Sequence, residues 1–195
     1  AELKKFDVGS WFNLTNPKFA DERFSAERIS TLGEILEFLR GYSGLIYIEL
    51  KLRENEAVAP LVKAVCREIS ASPLLSRIIV KSFRLQAISE TRCLCTQVKT
   101  AALFAPKIRT ILRKEKYLLN LAREFRADQI SLHYSLITRK LMENAEKKNF
   151  PVTIWTADNP LWIKRAIKLG VGAIITNNPA RLLAKRRETL HQNSI

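Results

Sequence analysis

The sequence is short of the residues that build metal and redox centres, with two histidines and three cysteines in 195 residues. His133 and His191 are too few for a histidine-based metal site. Cys66, Cys93 and Cys95 cannot form a disulfide framework, and Cys-Leu-Cys lacks redox or zinc spacing. They read as reduced structural thiols. No apolar run approaches the roughly 20 residues of a membrane span, and the opening "AELKKFDVGSW" contains no apolar leader. Together these absences give the expectation of a cytoplasmic protein. There is no nucleic-acid motif and no basic stripe interleaved with aromatics.

What is present describes a folded domain. The chain is 47% hydrophobic and 27% charged, ordinary soluble usage, and long enough for one domain with a sizeable core. Its net charge of +14 raises the local concentration of anionic partners. The charge is spread out, with clusters at "KIRTILRKEK" (107–116) and "AKRRE" (184–188). A solvated basic surface is the plain reading; peripheral attraction to anionic surfaces is the sharper one.

From residue 31 onward helices and β-branched runs alternate. Thr31 and Glu34 form a capping box ahead of Leu32, Ile35, Leu36 and Leu39, and Gly41 stops that helix. Strands are predicted at 45–50, 77–82, 100–104, 128–132, 152–156 and 173–176. Helices are predicted at 56–70, across "YLLNLAREF", at 138–148, from Asn159-Pro160 to Gly170, and over the basic C-terminal segment. Strands spaced by helices demand parallel pairing. A barrel of eight such units needs about 250 residues, and rarely fewer than about 200. Six units are visible, so the expectation is a (β/α)8 TIM-barrel type α/β fold lacking its first strands. Residues 31–190 would be that barrel portion and 191–195 a tail. Residues 1–30, rich in aromatics, Asn, Pro and Gly, fit neither helix nor strand and read as a loop segment packing on the barrel.

One strand carries chemistry. In "LIYIELKL" (45–52), alternation puts Ile46, Ile48 and Leu50 on one face and Tyr47, Glu49 and Lys51 on the other. In a parallel barrel, the C-terminal strand ends face the active site. A carboxylate there can bind a hard cation, and a lysine two residues on can meet a phosphate oxygen. Spacing alone leans instead towards a strand-end ion pair whose charges reach solvent.

Five segments shift that balance. "IYIELK" resembles the Ile-Glu-Ile-Lys strand of the glycerophosphodiester phosphodiesterase family. "GSWF", followed by "STLGEILEFL", is similar to its Gly-x-Trp-Phe loop and Pro-Thr-Leu-x-Glu helix. "VKSF", "VTIWTAD" and "LGVGAIITNNP" are similar to its Ser-Phe, Trp-Thr and closing Ile-Ile-Thr segments, in the family's order. The resemblance implies a barrel of the PLC-like phosphodiesterase kind in glycerol and lipid metabolism. Such an enzyme uses a divalent cation, Ca²⁺ or Mg²⁺, to hydrolyse glycerophosphodiesters to glycerol 3-phosphate and an alcohol. Carried onto this chain, Glu49 would be a metal ligand and Lys51 a catalytic and substrate-binding phosphate contact. Phe83 and Trp155 would shape the glycerol end of the pocket, with core packing their alternative. Ser82 would be a polar substrate contact. His133 receives no role, because the family's acid–base histidines lie elsewhere.

The departures set a second expectation. The family's His-Arg-Gly, Glu-x-Asp and His-Asp segments do not occur in these residues. The chain alone is therefore expected to be weakly active or inactive. A barrel portion that kept the scaffold and binds phosphate or anionic surfaces is the alternative. Ser30 stands for the usual proline, Asp158 for an asparagine, and Gly172 and Asn177 for aspartates.

Overall fold

The computed structural model describes residues 2–106 and 115–192, so most of the predicted 107–116 basic cluster lies outside it. Six strands form one sheet: β1 (Ile46–Glu49), β2 (Ile78–Ser82), β3 (Lys99–Phe104), β4 (Gln129–His133), β5 (Val152–Trp155) and β6 (Ala173–Ile174). All neighbours are parallel, and their spatial order is their sequence order. A doubly wound sheet would reverse direction at a switch point. An unreversed order sends each right-handed crossover to the same face and curls the sheet around the other.

The side chains show the curl. Ile78 and Val80 of β2 pack with Val62, Val65 and Ile69 of the Val58–Ser70 helix. Ile130, Leu132, Val152 and Ile154 pack with Leu118, Leu119 and Ala122 of the Glu115–Glu124 helix and Leu141 of the Arg139–Glu146 helix. Phe83, just past β2, and Trp155, ending β5, meet on the opposite face with ring centroids 5.5 Å apart. Three strand spacings of about 4.8 Å separate those strands along a flat sheet. The sheet is a curled half-barrel whose concave face gathers the strand ends.

Local signals place the helices. Thr31 and Glu34 make the reciprocal capping box before the Leu32–Phe38 helix. The Asn159 side chain accepts from the Leu161 N–H at 3.0 Å, opening the Leu161–Leu169 helix. That helix closes on Gly170 at φ 71°, where a side chain would be strained. The Leu85–Leu94 helix was not foreseen: "LQAISETRCL" mixes polar and apolar residues too evenly to show a stripe.

The first 30 residues differ from the expected loop. Ser10–Thr15 is a short helix, flanked by 3-10 turns at Leu3–Lys5, Pro17–Phe19 and Glu22–Ala26. The Asp7 carboxylate accepts from the N–H groups of Gly9 and Ser10, both at 2.9 Å, which satisfies donors the helix start leaves open. Phe12 packs edge-on against Phe24 at 5.5 Å, while Trp11 and Phe19 remain exposed. A Lys4–Glu34 ion pair ties the segment to the Leu32–Phe38 helix. Cys66 and Cys95 are buried free thiols, and Cys93 is exposed. Among the described residues, no helix is long and apolar enough to cross a membrane.

Candidate active site

Alternation sorts the concave face from the packed one. Ile46 and Leu50 lie in the core beneath the helices, so Tyr47 and Glu49 face the hollow of the half-barrel. Glu49 is the last residue of β1 and stands at the C-terminal mouth. On β2 the same alternation buries Ile78 and Val80 against the helices and turns Lys81 inward. Glu49 and Lys81 are register partners across the two strands. The Lys81 ammonium lies 3.5 Å from Glu49 Oε2, with side chains 11% and 26% exposed, and 6.0 Å from the centre of the Tyr47 ring.

This changes the pairing suggested by the sequence. The close charge partner of Glu49 is Lys81, not Lys51. Lys51 lies past the end of β1, exposed, on the rim of a cleft shared with Glu49, Arg53, Phe83 and Arg84. The cleft measures about 490 Å³. Its rim is fastened by Arg84, whose Nη1 donates to the carbonyls of Arg53 and Glu54 at 2.8 and 2.7 Å.

Ser82 turns its hydroxyl into the fold. It borders the cleft, and its residue surface is 0% exposed. Its hydroxyl donates to the Leu50 carbonyl at 2.8 Å and accepts from the Arg84 N–H at 3.1 Å. With its hydroxyl donating and accepting inside the fold, it ties the end of β1 to the turn after β2.

Phe83 and Trp155 are brought together. Their rings meet at 86°, Phe83 is 45% exposed, and Trp155 is half-buried. Trp155 Nε1 donates to the Ser131 carbonyl at 3.2 Å, which fixes the indole plane. His133, ending β4, packs edge-on against Trp155 at 5.2 Å, so the aromatic wall is wider than the sequence reading had it. Its Nδ1 is engaged by Ser135 Oγ at 2.8 Å, in the Tyr134–Leu136 turn. The Ser131 hydroxyl, fully buried on the inward side of β4, has no hydrogen-bond partner among the described residues.

Two departures noted in the sequence meet in space. The Asp158 carboxylate accepts from the Asn177 N–H at 2.7 Å, the Thr176 hydroxyl at 2.8 Å and Asn177 Nδ2 at 3.0 Å. The Asn177 backbone bond leads in holding its carboxyl below the ordinary carboxylate value. These bonds link the loops after β5 and β6.

As a cation site the mouth is partial. Glu49 offers hard oxygen, but no group of three His, Cys, Asp or Glu residues that could hold a metal exists among the described residues. Glu49 fits one place in a ligand set that these residues do not complete.

The sequence model of the glycerophosphoryl diester phosphodiesterase family matches residues 1–181. The chain belongs to that family. It is 28% identical over 189 residues to the glycerophosphodiester phosphodiesterase of Caldanaerobacter subterraneus subsp. tengcongensis, covering 93% of this chain and 68% of that one. The fold matches an Oleispira antarctica phosphodiesterase solved with the product sn-glycerol-3-phosphate, at TM-score 0.77 and 17% identity over 94% of this chain and 68% of the other. It also matches a Silicibacter pomeroyi structure at TM-score 0.76 and 21% identity, covering 85% and 58%. The chain thus spans 58% to 68% of these relatives' lengths. Family membership makes it an enzyme by descent and accounts for the parallel curled sheet. It also explains why the acidic, basic and aromatic side chains converge at the C-terminal strand ends. Sequence reasoning missed Lys81, although the alternation argument used for β1 finds it when applied to "IIVKSF".

Proposed function

We propose that this chain serves a hydrolase of glycerophosphodiesters, which adds water across a P–O ester bond to release glycerol 3-phosphate and an alcohol. The observation that carries the reading is the mouth of the half-barrel. An inward carboxylate and ammonium, Glu49 and Lys81, lie beside the Phe83–Trp155 wall, with Lys51 on the rim. A phosphodiester is a small anion with an apolar glycerol edge, and this surface offers a contact for each part. Lys51 meets the phosphoryl oxygens and offsets the charge that grows on them. Phe83 and Trp155 cover the glycerol carbons and exclude water from one side. Glu49 would contribute one oxygen ligand to a divalent cation, Ca²⁺ or Mg²⁺, which supplies charge stabilisation at the phosphoryl group when bound.

The described mouth has one inward carboxylate and one imidazole, and a general acid or base each supplies about 10²–10⁴-fold. The 195-residue chain is accordingly expected to turn over slowly. The test combines release of glycerol 3-phosphate from glycerophosphocholine, with and without added Ca²⁺ or Mg²⁺, and calorimetric binding of sn-glycerol 3-phosphate. Slow cation-stimulated release that falls in Glu49→Gln, and binding that weakens in Lys51→Met, support the reading. Absence of both turnover and binding rejects it. Salt-sensitive binding to anionic vesicles would then favour the scaffold alternative.

A further inference from the structure

The cleft at the mouth extends beyond the groups assigned to the reaction. Glu49 and Phe83 belong to the inward site and to the cleft alike, and from them it reaches outward to Lys51, Arg53, Glu56 and Arg84. Both of its carboxylates are engaged. Glu49 is paired with Lys81 at 3.5 Å, while Glu56 accepts from the Arg53 N–H at 2.9 Å and lies 3.9 Å from the Arg53 guanidinium. Glu54 gives its carbonyl to Arg84 and does not line the cleft. Counting Lys81 behind Glu49, four cations thus face two carboxylates. Arg84 is the best prepared of them. Its Nη1 is held by the neutral carbonyls of Arg53 and Glu54, which fix the guanidinium without cancelling its charge. No carboxylate pairs with Arg84 or Lys51 among the described residues.

We propose that the outer part of this cleft is a head-group subsite that selects glycerophosphodiesters whose alcohol carries a further phosphate, with Arg53 and Arg84 as its specificity-determining residues. This rests on the reading above, in which Lys51 meets the scissile phosphate and the Phe83–Trp155 wall covers the glycerol. A phosphodiester has two ester arms. With glycerol on the wall, the second arm is left to the cleft, whose volume of about 490 Å³ admits a sugar-sized alcohol. An arginine fork offers a phosphate two parallel N–H bonds, which a lone ammonium cannot. A quaternary ammonium head meets like charge there instead, with one ring, Phe83, in the described lining to offset it.

The experiment measures calorimetric affinities of the whole chain for glycerophosphoinositol and glycerophosphoinositol 4-phosphate. Salt is held at about 0.15 M, where exposed charges more than about 8 Å away are largely screened. The readout is the ratio of the two affinities. In the parent the extra phosphate is expected to tighten binding about tenfold or more, and the ratio should fall at least about threefold in Arg53→Gln and in Arg84→Gln. Glu56→Gln keeps an acceptor for the Arg53 N–H and removes the opposing charge, so the ratio should rise, a gain that misfolding cannot produce. Lys51→Met should weaken both compounds together and leave the ratio in place. A parent ratio near one overturns the subsite; if both compounds still bind, and weaken in Lys51→Met, the function proposed above stands without it. If neither compound binds, the two readings fall together. The subsite is also overturned by a high ratio that the Arg53 and Arg84 variants leave untouched. The same holds if Arg187→Gln, on the distant-in-sequence Pro179–Gln192 helix, lowers the ratio as much as they do, for the preference then belongs to the overall charge of +14.

Discussion

Replacing Ser82 by alanine separates the two roles the residue has been given. The hydroxyl is fully buried and holds two backbone groups, the Leu50 carbonyl and the Arg84 N–H. Alanine fills nearly the same space, so the loss is one of hydrogen bonding and not of packing. A buried polar group stripped of its partner costs about 1–3 kcal/mol. Leu50 is 3% exposed and its carbonyl has little access to water, whereas half-buried Arg84 can recover part of its loss. The expected destabilisation is therefore about 2–4 kcal/mol. With a urea slope of about 1–3 kcal/mol/M, the unfolding midpoint should fall by about 1 M or more. Far-ultraviolet circular dichroism against urea reads this directly. The slope should stay constant, because the folded state loses no compactness. The reasoning is refuted if the midpoint moves by less than about 0.2 M while binding of sn-glycerol 3-phosphate weakens. That pattern belongs to a residue touching substrate.

Two further outcomes follow from the loops. Asp158 is held below its ordinary carboxylate value of 3.8, so its contribution is present above that value and is lost as pH falls through the lowered one. The stability gap between the parent and Asp158→Ala should thus be the same at about pH 7 and about pH 5, closing only in stronger acid; a gap that closes between those two points would show that another group is titrating. At Gly9 the obstacle is space, since a Cβ there would stand 1.8 Å from the Phe24 carbonyl oxygen and 2.6 Å from its carbon. Gly9→Ala should open the N-terminal segment, so that limited proteolysis cleaves within residues 2–30 faster while the sheet's unfolding midpoint holds; unchanged cleavage would mean that the segment yields without cost.

Much of the architecture was legible because it is written in local rules. The capping box at Thr31 and Glu34, the Asn159 cap and the left-handed Gly170 each act within a few residues of themselves, and each stands where the pattern put it. The six strands were found by their β-branched runs, with ends that differ by a residue or two. Two elements escaped for a shared reason. The Leu85–Leu94 helix and the Ser10–Thr15 helix carry no apolar stripe of their own. The first is defined by burial of Ala87, Ile88 and Thr91 between strands and helices. The second is defined by Asp7 capping it and Phe24 packing on Phe12. Such elements form through contacts that no short window contains.

The site shows the same limit in sharper form. Period-two alternation correctly turned Glu49 towards the hollow, yet it could not say which cation stood opposite. That depends on the register between β1 and β2, which aligns Glu49 with Lys81. Lys51 was read as the same-face lysine two residues on, and two residues along a strand are nearly 7 Å apart. A register neighbour on the next strand lies about 4.8 Å away. The nearer charge on a parallel sheet is therefore the one more than a crossover away in sequence. Ser82 depends on parity as well. Ser82 stands at a strand end, where substrate contacts gather, but its parity matches Ile78 and Val80, which turns it from the hollow towards the core. Parity, applied to every strand instead of only the first, separates inward-facing Lys81 from core-facing Ser82 within the sequence itself.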